Sequence, residues 1–180
     1  MTPDLENRIK NLRCMIFDVD GVLTDGKLYF DHQGNELKAF SSLDGLGMRL
    51  LADSGIHLAI ITGRSSAIVS ERAKQLGIEY LYQGVENKAS AFQDLLHKLQ
   101  LDATVTGYMG DDLIDLPIFS RCGVAFSVPT APFYVREKAH YVAEAAAGFG
   151  AVREVCDLIL NIQDKFEDIL EHYWQPRSES

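Results

Sequence analysis

Positive charge is scarce in this chain: 17 lysines and arginines face 26 aspartates and glutamates, a net charge of −9. That balance excludes nucleic-acid binding through a broad basic surface. It also repels an anionic substrate unless a site concentrates cations of its own. Cysteine is sparse too. Cys14, Cys122 and Cys156 are odd in number, far apart and without a C-x-x-C pair, so buried free thiols in a reducing cytoplasm are expected. No apolar run approaches the roughly 18 residues of a membrane span. The opening "MTPDLENRIKNLR" lacks the hydrophobic stretch of a signal peptide, so neither a membrane partner nor export is expected. Repeats and low-complexity tracts are missing, and only the tail "PRSES" reads as frayed. What is present, 47% hydrophobic residues over 180 positions, suits one domain over residues 1–180 with a sizeable core.

The apolar residues fall into compact runs that alternate with helical periods. "CMIFDV", "HLAIIT", "YLYQG", "VTGYMG", "GVAFSV" and the short "HYVA" read as strands covered on both faces. Between them, "LDGLGMRLLADSG", "SAIVSERAKQLG", "NKASAFQDLLHKLQ" and "GAVREVCDLILNIQ" repeat their apolar positions at helical spacing, and a helical tail is expected over about 163–180. The predicted fold is α/β: a Rossmann-like, mainly parallel sheet with helices on both faces. Ligands on such sheets sit beyond the carboxyl ends of the strands. "KLYFDHQGNELKAF", about 27–40, breaks the rhythm and reads as a β-hairpin inserted after the first strand.

Charged residues gather at those strand ends. Asp18 and Asp20 close the first strand within "MIFDVDGVLTDG"; Thr62, Gly63 and Arg64 follow the second; Lys88 opens a helix; "GDDLID" sets Asp111, Asp112 and Asp115 after the fourth. Each has an ordinary reading in isolation. Asp-x-Asp-Gly is a turn after a strand, Thr62 a helix N-cap, Lys88 a solvated face and Asp115 a brace for its loop. Taken together in a parallel sheet, they converge on one crevice.

In this order the residues resemble the four motifs of the haloacid dehalogenase superfamily of phosphotransferases, over residues 14 to 160. The resemblance implies that Asp18 is a nucleophile forming an aspartyl-phosphate and that Asp20 is the general acid and base. Thr62 and Lys88 would hold the phosphoryl oxygens. Carboxylates about 4 Å apart repel by roughly 4 kcal/mol at an effective dielectric near 20, and a hard divalent cation, Mg²⁺, would relieve that repulsion. Its implied ligands are the Asp18 carboxylate, the Asp20 carbonyl and the Asp111 carboxylate, with Asp112 and Asp115 in supporting places.

Residues 26 to 61 leave no room for a cap domain of the kind many superfamily members insert. The site is therefore expected to be open unless a neighbouring subunit covers it through the hairpin; a hairpin folded onto its own subunit is the alternative. "DVDGVLTDG", "YFDHQGNELKAFSSLDGLGMRLL", "ITGR", "GDDLIDLP" and "GAVREVCDLIL" resemble the capless 3-deoxy-D-manno-octulosonate 8-phosphate (KDO 8-phosphate) phosphatase family. This implies a Mg²⁺-dependent homotetramer of the lipopolysaccharide pathway acting on a small sugar-acid phosphate. Implied substrate contacts are Asp20, Ser41, Ser42, Leu43, Asp44, Gly45, Arg49, Arg64, Arg72 and Lys88. "AAAGFGAVRE" departs from the family by carrying less glycine, which bears on the flexibility of that loop. A phosphatase for a nine-carbon sugar acid 9-phosphate shares the same motifs, and a phospho-accepting receiver domain uses similar residue types in a different order. A scaffold that has lost its activity is a further alternative, though no motif residue is missing.

Overall fold

A computed structural model describes residues 1–175; the "PRSES" tail, and with it the end of the expected helical tail, lies outside them. All six predicted strands form: β1 Cys14–Phe17, β4 His57–Ile61, β5 Tyr80–Tyr82, β6 Thr106–Met109, β7 Val124–Ser127 and β8 Tyr141–Val142. They pair in parallel, in the order β5-β4-β1-β6-β7-β8. The hairpin strands β2 Tyr29–Phe30 and β3 Glu36–Leu37 pair only with each other, antiparallel. No cap domain interrupts the described residues.

The central strand explains its own sequence. Every residue of β1 is buried, because helices cover both faces of the sheet, and so the run is apolar without alternation. The predicted helices are α2 Ser42–Asp53, α3 Ala67–Gln75, α4 Lys88–Leu99 and α7 Ala151–Ile162. Their apolar stripes face inward: Leu50 and Leu51 in α2, Ala91 and Leu95 in α4, Val155 and Ile159 in α7 are all buried. Fully burying one such leucine or isoleucine stabilises the fold by about 1.5–3 kcal/mol.

Four further α-helices form among the described residues. The first, α1 Pro3–Lys10, starts at Thr2, whose hydroxyl accepts from the Leu5 amide, with proline in its first turn. Two single-turn helices, α5 Leu116–Phe119 and α6 Phe133–Arg136, lie in connections, and α8 Phe166–Trp174 is the described part of the helical tail. Chain direction reverses its neighbour choice beside β1, with β4 on one side and β6 on the other. That switch point opens a crevice at the carboxyl ends of β1, β4 and β6.

Candidate active site

The first strand ends at Phe17, and Asp18 continues the extended chain by one residue, its amide donating to the Met109 carbonyl at 3.0 Å. The backbone then folds into a tight turn, Val19–Leu23, with Gly21 at φ +87°. Only glycine suits this place for two reasons. The left-handed backbone disfavours a side chain, and a Cβ here would lie 2.0 Å from Asp111 Oδ2. The glycine therefore lets the Asp111 carboxylate approach the first turn. Gly110 gives the matching clearance just after β6, where a Cβ would meet Asp115 Cγ at 2.5 Å.

Asp115 is wholly buried and has no oxygen to spare. Its Oδ2 accepts from the amides of Asp111 and Asp112 at 2.9 and 3.0 Å, and its Oδ1 accepts from Lys88 Nζ and the Tyr108 hydroxyl, both at 2.6 Å. It braces the loop that presents Asp111. Lys88, at the start of α4 behind the Asn87 cap, stands where the helix dipole disfavours a cation. Two carboxylates compensate: Asp115, and Asp18 Oδ2 at 2.8 Å. Burial alone would lower the Lys88 ammonium, but Asp18 and Asp115 hold it above its ordinary range.

One oxygen from each of Asp18, Asp111 and Asp115 lies within 4.8 Å of the others. Burial, with Asp115 adding to it against the pull of Lys88, pushes the Asp18 carboxyl up to about 6. Burial, with the Asp18, Asp115 and Asp112 charges adding to it, pushes Asp111 up to about 7. Asp18 Oδ1 is buried with no hydrogen-bond partner among the described residues. An unpartnered carboxylate oxygen beside a second strained carboxylate is a donor set for a hard cation.

Thr62, buried, follows β4, and its backbone carbonyl accepts from Val85 at 3.2 Å. It does not cap the next helix, because Ser66 takes that place. A cleft of ≈ 260 Å³ is lined by Asp18, Asp20, Thr62, Arg64, Asp111 and Asp112, together with Gly26, Gly63 and Ile114. The crevice expected from the strand ends is thus formed. Asp112 is exposed at its rim, capping its own turn through Leu113 N at 2.7 Å.

The remaining predicted substrate residues sit elsewhere in the single chain. Ser41 caps α2, and its carbonyl accepts from Arg72 Nη2 at 3.2 Å, with the guanidinium over the Phe40 ring. Asp44 is buried, accepting from the Arg153 amide at 2.9 Å and so holding the start of α7. Gly45 lies beneath Arg72; Ser42, Leu43 and Arg49 are exposed. None of these lines the cleft. Three participants were not anticipated: the buried Tyr108 hydroxyl, and Glu36 and Lys38 of the hairpin. Lys38 is hydrogen-bonded to Asp20 Oδ1, and Glu36 Oε1 lies 2.7 Å from Arg64 Nη2. The alternation of charges in "NELKAF" was the available signal, since positions two apart on a strand share a face.

Fold and site together define a haloacid dehalogenase-like hydrolase. The profile of that family matches residues 81–155. The 3-deoxy-D-manno-octulosonate 8-phosphate phosphatase of Yersinia pestis is 49% identical over 91% of this chain and 88% of its own. Its crystal structure superposes with a TM-score of 0.91 at 48% identity, over 93% of this chain and 90% of the other. The phosphatase from Moraxella catarrhalis, solved with magnesium, phosphate and KDO, gives 0.93 at 41% identity, over 96% of this chain and 99% of that one. The chain belongs to the 3-deoxy-D-manno-octulosonate 8-phosphate phosphatase family.

Proposed function

We propose that the chain is a Mg²⁺-dependent phosphatase that hydrolyses KDO 8-phosphate to KDO and phosphate. The observation that carries this is Asp18: one oxygen held by Lys88, the other buried and unpartnered beside Asp111. When bound, Mg²⁺ would be held by Asp18, the Asp20 carbonyl and Asp111, and would neutralise the carboxylates and the incoming phosphate. Asp18 attacks phosphorus as the bond to the sugar oxygen breaks. Asp20 delivers a proton to that oxygen, then takes one from the water that cleaves the aspartyl-phosphate. Lys88 and Thr62 bear the charge that spreads over the phosphoryl oxygens. Asp115 and Asp112 keep the loop in place.

Arg64 supplies a cation at the cleft for the sugar acid. Ser41–Gly45, Arg49 and Arg72 are assigned to substrate recognition across a subunit boundary, in a homotetramer built through the hairpin. Support comes from the exposed apolar side chains Leu28, Tyr29, Phe30 and Leu37 on that ribbon. Three unpaired buried thiols support a reducing cytoplasm, and among the described residues no helix is long and apolar enough to cross a membrane.

Phosphate release across a panel of sugar-acid phosphates tests the reading. KDO 8-phosphate is expected to lead the panel by kcat/KM, and a nine-carbon 9-phosphate in first place would overturn the substrate assignment. Asp18→Asn should lose at least about 10⁴-fold in kcat. Retained turnover would refute the nucleophile.

A further inference from the structure

The hairpin carries a buried cation that the reaction as described does not use. The Lys38 side chain is 2% exposed, and lysine is almost never buried unless it is paired. Its ammonium bonds Asp20 Oδ1 and lies 3.4 Å from Glu36 Oε1, which in turn meets Arg64. Glu36 and Lys38 face the cleft together, while Leu37 between them faces out.

The geometry points to Lys38 as a positioning residue for the carboxyl of Asp20. By occupying Oδ1 it stops rotation of the group and leaves Oδ2 as the oxygen that carries the proton. The inference rests on the reading of Asp20 as acid and base. In the first half-reaction an Asp18 oxygen bonds to phosphorus, the bond from phosphorus to the sugar oxygen breaks, and the Asp20 proton passes to that oxygen. A proton donor must stand within about 3.2 Å of its acceptor, and small misplacements of such a group cost on the order of 10²-fold. Glu36 restrains the ammonium from its other side and links it to Arg64, so the ribbon and the end of β4 form one charged frame around Asp20. A lysine that merely anchored the hairpin would affect every substrate alike.

Leaving groups separate the two roles. A sugar alkoxide must be protonated as it departs, whereas p-nitrophenolate leaves without help. The readout is kcat/KM, which reports the first half-reaction and ignores the water step common to both substrates. Lys38→Met should lower kcat/KM for KDO 8-phosphate by about 10- to 100-fold and for p-nitrophenyl phosphate by less than about 3-fold. Lys38→Arg, which keeps a donor on the carboxylate, should recover most of the selective loss. Equal losses on both substrates, or no recovery with arginine, would overturn the inference. If Lys38→Met does not fold, Lys38→Gln replaces it, with a smaller loss of the same selectivity expected and an equal loss on both substrates again decisive against. Asp20→Asn separates the failures. If it shows no leaving-group selectivity, the acid–base reading falls and this inference with it; if it is selective and the Lys38 variants are not, only the role of Lys38 falls.

Discussion

Asp18 and Asp111 concentrate the electrostatic strain of the molecule. Burial raises both from 3.8, to about 6 and about 7. The folded chain therefore retains protons that the unfolded chain has released, and these groups favour folding fully only below about pH 4. Their contribution is lost as pH rises through 6 to 7 in the metal-free protein. Asp111→Asn removes one of the two. In chelator its melting temperature should gain on wild type as pH climbs from about 4 to about 7, and Mg²⁺ should raise the wild-type value more at about pH 8 than at about pH 5, with little effect on the variant. A wild-type advantage growing with pH in chelator would contradict this. Lys88 is the counterweight. Deleting one partner of a buried pair of this kind typically costs about 3–5 kcal/mol, which is why a cation is tolerated at a helix start.

At the scale of elements, the turn after β1 and the loop after β6 are shaped for each other. Gly21→Ala forces a left-handed residue, roughly 1–2 kcal/mol by itself, and sets a methyl group against Asp111. Activity should fall on the order of 10²-fold with Mg²⁺ affinity reduced; unchanged Mg²⁺ titration curves would show that the two segments do not need this clearance. Much of this was legible in the chain. The six strands are apolar runs ended by polar residues, and Asp18, Thr62, Lys88 and Asp111 each follow or open an element, so the topology alone brings them together. Residues whose role depends on distant partners were not legible. Tyr108 reads as one more apolar strand residue until Lys88 and Asp115 close on its hydroxyl. Lys38 reads as a solvated hairpin charge until the ribbon folds over Asp20. Arg49 and Arg72 carry the right charge, yet nothing local fixes which crevice they serve. Short helices such as α5 and α6 span a single turn, too few residues for a period to register.

For the whole molecule, the hairpin buries charge and exposes apolar surface: the Lys38 side chain is buried while Leu28, Tyr29, Phe30 and Leu37 stay exposed. Phe30 is 59% exposed and Leu37 56%, more than an isolated ribbon gains from. Replacing both with serine should leave the melting of an isolated subunit within about 0.5 kcal/mol but, with the proposed tetramer built through the ribbon, shift sedimentation toward smaller species. A wild-type protein that sediments as a monomer at every concentration would refute the assembly. The parallel pairing of β1 with β6 has a different consequence, for biosynthesis. The two mutually repelling carboxylates stand at opposite ends of a long stretch of chain, so a nascent polypeptide still on the ribosome carries the first without the second. The two carboxylates can meet only once β6 has been synthesised and has paired with β1. Asp18 is thus translated well before the carboxylate it comes to face.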